Sequence, residues 1–218
     1  MAGLAGALHD GVMTILEARF DSEPEKATPV GIDPMVTKAA EQLESKRVVT
    51  LFGQVDDELC RRVAVQILLL ADRDPEAPIV LLVDSPGGSV FAGMIVYDAM
   101  QLVPCPIHTV ALGFAASMGQ FLVTAGEPGH RLAIPHARML IHQPSAGIGG
   151  SSIDIGIQAE QHVRSKQELF RLQARHIGKS VEQIERDSDR DRWFFAPEAV
   201  DYGLVDGLVG RWSELIGS

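Results

Sequence analysis

The hydrophobic positions form short continuous apolar runs separated by longer stretches with helical spacing. Apolar runs begin near residues 47, 79 and 107, and the run IVLLV contains no polar residue, as expected of a strand covered on both faces. Residues 56–71 and 90–103, which lie between the runs, have helical spacing. A repeat of roughly 30 residues is the length of one βα unit. The pattern therefore predicts an α/β fold with a largely parallel sheet and right-handed crossovers.

The pattern continues beyond the third run with shorter elements and one long helix. The third strand is predicted over residues 107–113. A helix is predicted over residues 115–126, with Ser117 in its first turn. Residues 130–142 predict two short strands joined through Pro135, and a further helix begins at Ser180. The longest helix is predicted over residues 152–177, with Gly178 as its C-cap. Because apolar residues occupy several of its faces, we expect cover on more than one side, from a core or from another subunit.

The first residues differ from the rest of the chain. Residues 21–31 (DSEPEKATPVG) are acidic, contain prolines and have few large apolar residues, so residues 1–32 are predicted to be an extension and linker. The domain is then predicted to span residues 33–218, with Asp33 as the N-cap of a helix over 34–46. The extension has no basic region before its apolar residues, so it is not predicted to be a secretory signal.

Composition restricts the class of protein further. A net charge of -10 argues against a nucleic-acid or anionic-membrane surface. Residues 99–126 carry no charged side chain and are long enough to span a membrane, but prolines and glutamines interrupt them, and a buried strand followed by a buried helix explains the same composition. The two cysteines, Cys60 and Cys105, form neither a metal pattern nor a disulfide framework, which predicts a cytoplasmic protein.

Two glycine-containing loops follow predicted strands, and they are the candidate site. They are DSPGGS at residues 84–89 and GFAAS at residues 113–117. In a parallel sheet both lie at the carboxyl edge, side by side, where ligands bind. The segment lacks the patterns of a dinucleotide or P-loop site, so its bare N–H groups are better suited to a developing oxyanion. Ser117 is then a candidate nucleophile, although Ala115 departs from the G-x-S-x-G elbow.

A serine nucleophile requires a base and an orienting acid. His142 ends the apolar segment ARMLI, which places it at the active edge. His130, His136 and His142 are spaced too far apart along an extended chain to share a metal unless a hairpin folds them together, so no metal site is predicted. Asp191 precedes an apolar segment and is expected to be partly buried beside a histidine, while Asp187 and Asp189 are expected to lie in a solvated or ion-paired turn. From the residues alone the triad of Ser117, His142 and Asp191 remains a hypothesis.

Four segments in register point to a known family. They are SPGG at 85–88, GFAASMGQFLVTAG at 113–126, PHARMLIHQPSAGIGGSSIDI at 135–155 and VEQIERDSDRDRWFFAPEAVDYGLVD at 181–206. In order and spacing they resemble the ClpP-type peptidase, the proteolytic subunit of the Clp protease, over residues 46–210. The resemblance implies a crotonase-like spiral of βα units in which residues 152–177 form a protruding handle helix.

The resemblance also implies the following roles for the residues of the site: Ser117 as nucleophile, His142 as general base, Asp191 as orienting acid, the N–H groups of Gly88 and Met118 as oxyanion hole, Gly88 and Val90 as the strand that holds substrate, and Asp189 and Arg190 as a ring–ring contact. The implied function is that of a serine endopeptidase, which cuts unfolded polypeptides to short peptides inside a barrel of two stacked heptameric rings, uniform or mixed. A hexameric AAA+ Clp unfoldase would dock on it and use the ATP, so this chain would need no cofactor.

Some residues depart from the family pattern. Its N-terminal axial-loop segment is not recognisable here, the tyrosines before SPGG are replaced by Val80 and Leu82, and the usual asparagine is Asp84. These departures put unfoldase docking in doubt. They leave open a paralogous structural or adaptor ring subunit with little activity alone, while an acyl-CoA enzyme of the same fold would need no triad.

Overall fold

The computed structural model describes residues 34–145 and 147–216, so the extension and the predicted N-cap Asp33 lie outside the described residues. The part from Lys38 onwards forms one compact unit. The helices are α1 (Pro34–Glu44), α2 (Asp57–Arg73), α3 (Val90–Leu102), α4 (Met118–Thr124), α5 (Ser152–Ile177), α6 (Val181–Asp187) and α7 (Ala196–Tyr202), with a 3-10 turn at Trp212–Glu214. The strands are β1 (Val48–Phe52), β2 (Ile79–Ser85), β3 (Ile107–Ala116), β4 (Arg131–Ala133), β5 (Arg138–Ile141), β6 (Arg192–Phe195) and β7 (Gly207–Leu208).

The strands form one sheet that divides at β3. The main order is β1-β2-β3-β4-β7, and all of these strands pair in parallel. The first part of β3 pairs with β4, whereas its last residues, Phe114–Ala116, pair with β5, which in turn carries β6 antiparallel at the edge. The predicted α/β class and largely parallel sheet are confirmed. The division at β3 brings two strand ends, those of β3 and β5, to the same place.

Apolar residues cover both faces of the sheet. The larger cluster packs inward-facing strand residues such as Leu51 and Leu81 against α2, α3 and α4, with Phe121 among its largest fully buried side chains. A smaller cluster on the opposite face is Val48, Val80, Leu82, Val110 and Val209. Burial on both faces explains why β2 has the uninterrupted apolar sequence IVLLV.

The long helix α5 has the predicted bounds because both of its ends are capped. Ser151 and Asp154 form a reciprocal capping box at its start, and Gly178 adopts a left-handed conformation at its end, with φ 76°. The second half of α5 buries Leu169, Phe170 and Leu172. The first half instead leaves four apolar side chains exposed: Ile153, Ile155, Ile157 and Val163. No described residue of the chain therefore provides the predicted cover for this half of the helix.

The predicted boundary between the third strand and the next helix is wrong. The strand β3 continues three residues beyond Gly113 to Ala116, and α4 begins at Met118 instead of Ala115. An irregular register between β2 and β3 accommodates the extra residues, since Val83 pairs with Ala111 and Ser85 pairs with Ala115. Residues 99–126 thus form the end of α3, a buried strand and a buried helix, and no helix among the described residues is long and apolar enough to cross a membrane.

An ion pair ties the far side of the sheet to α5. Arg131 at the start of β4 is largely buried and donates from Nε to Asp206 Oδ2 at 2.9 Å, and from Nη1 to the carbonyl of His176 at 2.6 Å. Burial alone would raise the pKa of Asp206, but hydrogen bonds from Arg131 and from the Gly129 N–H lower it. Removing one partner would leave an uncompensated charge beside the core.

Candidate active site

The turn between β3 and α4 holds Ser117 in a strained conformation. Its φ of 53° and ψ of -122° lie in a region that residues with a side chain rarely adopt, and within the described ranges Arg47 is the other such residue with positive φ. A serine on a sharp strand-to-helix turn is the geometry of a nucleophile elbow, which exposes the hydroxyl at the end of the sheet.

The loop after β2 lies directly against this turn, as the sequence predicts. A Cβ atom placed on Gly87 would lie 2.6 Å from Ser117 Cβ and 2.7 Å from the carbonyl oxygen of Ala116. No side chain fits at these distances, and the φ of 88° at Gly87 favours glycine as well. A Cβ on Gly119 would lie 2.9 Å from Ser85 Cβ, so glycine on both sides permits the close approach.

The hydrogen bonding of this loop leaves one edge of it free. Val55 donates to the carbonyl of Gly87 and accepts from the N–H of Ser89, both at 2.8 Å, in a parallel bridge centred on Gly88. The N–H and C=O of Gly88 therefore point away from Val55. No described group accepts a hydrogen bond from the Gly88 N–H. Met118 is the first residue of α4, so its N–H also has no partner within the helix.

The strand β5 brings His142 to the same edge. The N–H of Ser117 donates to the carbonyl of Leu140 at 3.0 Å, two residues before His142. Nδ1 of His142 lies 3.8 Å from Oδ1 of Asp191, so the two residues are neighbours beyond hydrogen-bond distance. No hydrogen bond joins Ser117 Oγ and His142 in the described part of the chain.

Asp191 does not have the predicted burial. Its side chain is 63% exposed. Asp191 lies directly before the edge strand β6, and the apolar residues that follow it do not cover its side chain. Asp187 is instead the better covered carboxylate of this segment, with its side chain 14% exposed: it pairs with Arg192 at 2.7 Å and accepts from the Tyr202 hydroxyl at 2.6 Å. Partial burial alone would raise the pKa of Asp187, but the hydrogen bonds that it accepts and the positive charges of Arg192 and Lys179 outweigh this effect and lower it. Asp187 thus anchors the chain that leads to Asp191, and its predicted ion pairing is present.

Gln143 connects the two segments and was not identified from the sequence. Its N–H donates to the carbonyl of Ser188 at 2.7 Å, and its Nε2 donates to the carbonyl of Asp189 at 3.1 Å. Lys166 of α5 donates to its Oε1 at 2.9 Å. The neighbours Asp189 and Arg190 are exposed, and their charged groups lie 3.9 Å apart. A displacement of residues 188–190 would therefore reach His142 through its neighbour Gln143.

Asp84 is a second residue that the sequence did not reveal as important for the site. Its Oδ1 accepts from the N–H of Phe114 at 2.9 Å and so fastens the loop after β2 to the irregular end of β3. Gly113, with φ 40°, leaves the space that this carboxylate occupies. An asparagine oxygen can accept the same bond, so this departure from the family pattern preserves the contact.

Two cavities adjoin these residues. A groove of about 400 Å³ runs between residues 88–91 and the start of α5, and its apolar lining includes Val90, Ile148 and Ile157. A second cavity of about 20 Å³ lies between Ser117 and α5. Within the described ranges no cluster of three potential metal-binding side chains occurs. The ring of His130 stacks on that of His108, with 3.9 Å between the ring centroids.

A strained serine at a strand-to-helix turn, with a glycine loop and a histidine at the same edge, is the arrangement typical of serine hydrolases. Comparison with known proteins defines the family: the model described as Clp protease matches residues 33–211. The chain therefore belongs to the Clp protease family.

Relatives in this family are similar over most of the chain. "ATP-dependent Clp protease proteolytic subunit 2" of Nocardia farcinica is 54% identical over 177 residues, covering 81% of this chain and 87% of the relative. The protein of the same name from Corynebacterium glutamicum is 54% identical over 78% of this chain and 84% of its own length. "ATP-dependent Clp protease proteolytic subunit 1" of Mycobacterium tuberculosis is 54% identical over 78% of this chain and 86% of its own.

These matches confirm the family resemblance, the ClpP-type fold class and, at the level of a proteolytic subunit of the Clp protease, the predicted function. They favour the peptidase over the adaptor alternative. They assign no role to an individual residue.

Proposed function

We propose that this chain is a serine endopeptidase subunit in which Ser117 is the nucleophile, His142 the general base and Asp191 the orienting acid. The observation that carries the proposal is the strained turn at Ser117, packed against Gly87 and fastened to the strand that ends in His142. Backbone strain of this kind costs free energy and persists where it serves a function.

The proposed reaction is acyl transfer from a peptide bond to Ser117 and then to water. Ser117 Oγ attacks the carbonyl carbon while His142 Nε2 takes the hydroxyl proton, and the same proton is then given to the leaving amine. Water attacks the acyl-enzyme, again with His142 as base, and releases the carboxylic acid product and free Ser117. Asp191, which lies on the Nδ1 side of His142, would hold the imidazole in the tautomer that leaves Nε2 unprotonated.

The N–H groups of Gly88 and Met118 are proposed as the oxyanion hole. Both lack partners among the described residues for their N–H groups and flank Ser117, one on the preceding loop and one on α4. Donors that are fixed before the reaction stabilise the developing negative charge without reorganisation, and the loss of one such donor typically costs about 10²-fold to 10³-fold in rate.

The substrate is proposed to bind as an added strand along Gly88 and Val90. The free edge of Gly88 offers an N–H and a C=O to an extended peptide, and the apolar groove of about 400 Å³ runs beside the same residues. Main-chain pairing reads little of the sequence. This mode suits unfolded polypeptides of many sequences that are cut to short peptides.

Assembly is proposed to complete the triad. The 3.8 Å separation of His142 and Asp191 must shorten by about 0.6 Å or more to form a hydrogen bond. The exposed pair Asp189 and Arg190 is proposed to meet the opposing ring, together with the exposed apolar half of α5, which would act as the handle helix. Contact there would move residues 188–191 and, through Gln143, the segment that carries His142.

The wider arrangement is proposed from the family. The chain would form stacked heptameric rings, uniform or mixed, in the cytoplasm, and a hexameric AAA+ Clp unfoldase would deliver unfolded protein and hydrolyse the ATP. No cofactor in this chain is needed for the proposed acyl transfer. The peptidase domain is proposed to span residues 33–218, and residues 1–32 are proposed to be an extension and linker.

Hydrolysis of a fluorogenic peptide by the assembled chain, compared with that by Ser117→Ala, tests the proposal. We expect the variant to assemble to the same particle mass and to lose all but a residual rate. An assembled wild-type particle that cleaves no peptide, alone or mixed with a paralogous subunit, would contradict the proposal and support the structural or adaptor alternative.

A further inference from the structure

An ion pair closes the loop that carries Asp191. Asp187 is the last residue of α6 and Arg192 is the first residue of β6, so the two residues flank the segment 188–191. Nη1 of Arg192 lies 2.7 Å from Oδ1 of Asp187. The pair therefore joins the two ends of this segment through side chains, in addition to the backbone that runs between them.

The Asp187 side of the ion pair is itself held in place. Its Oδ2 accepts from the Tyr202 hydroxyl at 2.6 Å and from Nε2 of Gln183 at 2.7 Å. These hydrogen bonds and the nearby positive charges keep the pKa of Asp187 below its usual range, although partial burial opposes them. Burial and the hydrogen bond to Asp187 raise the pKa of Tyr202. Near neutral pH, Asp187 is therefore ionised and the Tyr202 hydroxyl keeps the proton that it donates.

The Arg192 side of the ion pair packs on two aromatic rings. Its Cζ lies 4.8 Å from the ring centroid of Tyr202 and 5.1 Å from that of Phe194. Phe194 is buried, and it shares a face of β6 with Arg192 because alternate residues of a strand point to the same side. A planar guanidinium that lies over rings and also pairs with a carboxylate has few alternative positions. The side chain of Arg192 is thus fixed in direction.

Asp191 has no comparable contact of its own. Its side chain is 63% exposed, and its Oδ1 lies 3.8 Å from Nδ1 of His142. No described residue donates a hydrogen bond to its carboxylate. In the antiparallel pairing of β5 with β6, Arg192 lies opposite Ile141, so the next position along sets Asp191 opposite His142. Because successive residues of an extended chain point to opposite sides, the direction of the Arg192 side chain sets that of Asp191.

We propose that Arg192, held by Asp187, is a positioning residue that directs the carboxylate of Asp191 towards Nδ1 of His142. The proposal rests on the proposed function, in which Asp191 is the orienting acid. Without the ion pair, the base of the segment 188–191 opens and the end of β6 is free to rotate. Asp191 then spends less time beside His142, and the rate of the chemical step falls.

Hydrolysis of a fluorogenic peptide by Arg192→Met, assembled to the wild-type particle mass, tests the proposal. We expect kcat to fall about tenfold to 10²-fold, since a displacement of about 1 Å at a catalytic group can cost about 10²-fold. KM should stay within about twofold of the wild-type value, because Arg192 lines neither cavity beside Ser117. Arg192→Lys keeps the positive charge and should recover part of the loss.

Arg61→Met is the matched control. Arg61 forms an ion pair with Asp57 at 3.1 Å on α2, and both side chains are exposed. The same substitution of arginine by methionine there should leave kcat and KM at their wild-type values. A comparable fall in kcat in Arg61→Met would show that loss of a surface arginine, and not of the positioning contact, lowers the rate, and would overturn the inference.

The dependence on Asp191 distinguishes positioning from a general structural role. In an Asp191→Ala background, Arg192→Met should lower kcat by less than about twofold, because a residue that acts through Asp191 then has no carboxylate to position. A general loss of packing would lower kcat by the same factor in both backgrounds. Equal factors, or a wild-type kcat for Arg192→Met, overturn the inference, while cleavage by the wild-type particle still supports the proposed function.

Asp187→Asn provides a second variant that keeps the test decisive if Arg192→Met does not assemble. Asparagine keeps the shape of the side chain and an acceptor for Tyr202, but it loses the charge that pairs with Arg192. It should show a fall in kcat that disappears in Asp191→Ala, and an unchanged kcat overturns the inference. A wild-type kcat for Asp191→Ala alone contradicts Asp191 as orienting acid, and with it this inference. An assembled wild-type particle that cleaves no peptide contradicts the proposed function itself.

Discussion

A comparison of Gly87→Ala with Gly129→Ala separates the effect of the close approach to Ser117 from the effect of backbone strain. The added Cβ would lie 2.6 Å from Ser117 Cβ, whereas carbon atoms in contact are about 3.5–4.0 Å apart, so the loop or the turn must shift by about 1 Å. A displacement of this size at a catalytic group costs about 10²-fold in rate. Gly129 provides the control, because its φ of 86° nearly equals the 88° of Gly87 and a Cβ there meets nothing within 4 Å.

Both variants carry the same strain, about 1–2 kcal/mol for a side chain in the left-handed region. For a domain of this size that strain lowers Tm by about 2–4 °C per kcal/mol. We therefore expect Gly129→Ala to lose stability and keep its activity, and Gly87→Ala to lose about 10²-fold or more in kcat/KM for a fluorogenic peptide. A kcat/KM of Gly87→Ala within threefold of that of Gly129→Ala would show that the close approach is not needed to position Ser117.

Three further predictions concern stability, pH and assembly. Asp206→Asn should lower the free energy of unfolding, measured with urea, by about 3 kcal/mol, because it leaves a buried arginine without its charged partner. Asp57→Asn, at an exposed ion pair, is the control and should shift the urea midpoint little. Similar midpoints for the two variants would contradict this prediction. Burial, and to a smaller extent the neighbouring His130, lowers the pKa of His108 from its usual 6.5. The contribution of neutral His108 to the free energy of unfolding is therefore complete above about pH 6.5 and is lost as the pH falls below it. Urea midpoints at pH 7.5 and 5.5 check this, and the difference between them should be smaller in His108→Gln. Ile153 is 74% exposed, so Ile153→Asp should leave folding intact and lower the particle mass, and an unchanged mass would exclude this face from the assembly.

The elements that the sequence predicted well are those with strong local signals. The apolar run of β2 has no polar residue because helices and the smaller cluster cover both faces of the sheet. The bounds of α5 follow from a glycine C-cap and a capping serine, which act within a few residues of each end. Such features depend on neighbouring residues, so a single sequence reveals them.

The features that the sequence did not predict depend on contacts between distant segments. Phe114–Ala116 consists of residues compatible with helix or strand, and pairing with β5 decides for strand. The exposure of Asp191 follows from its place before an edge strand, and local apolar neighbours gave the wrong expectation.

Labelling by a fluorophosphonate, followed by peptide mapping, tests the central claim most directly. We expect one covalent adduct, on Ser117, whose rate of formation falls steeply in His142→Ala and in Gly87→Ala but not in Gly129→Ala. An assembled particle that takes up no label, or that takes it up on a serine other than Ser117, would contradict the assignment of Ser117 as the nucleophile.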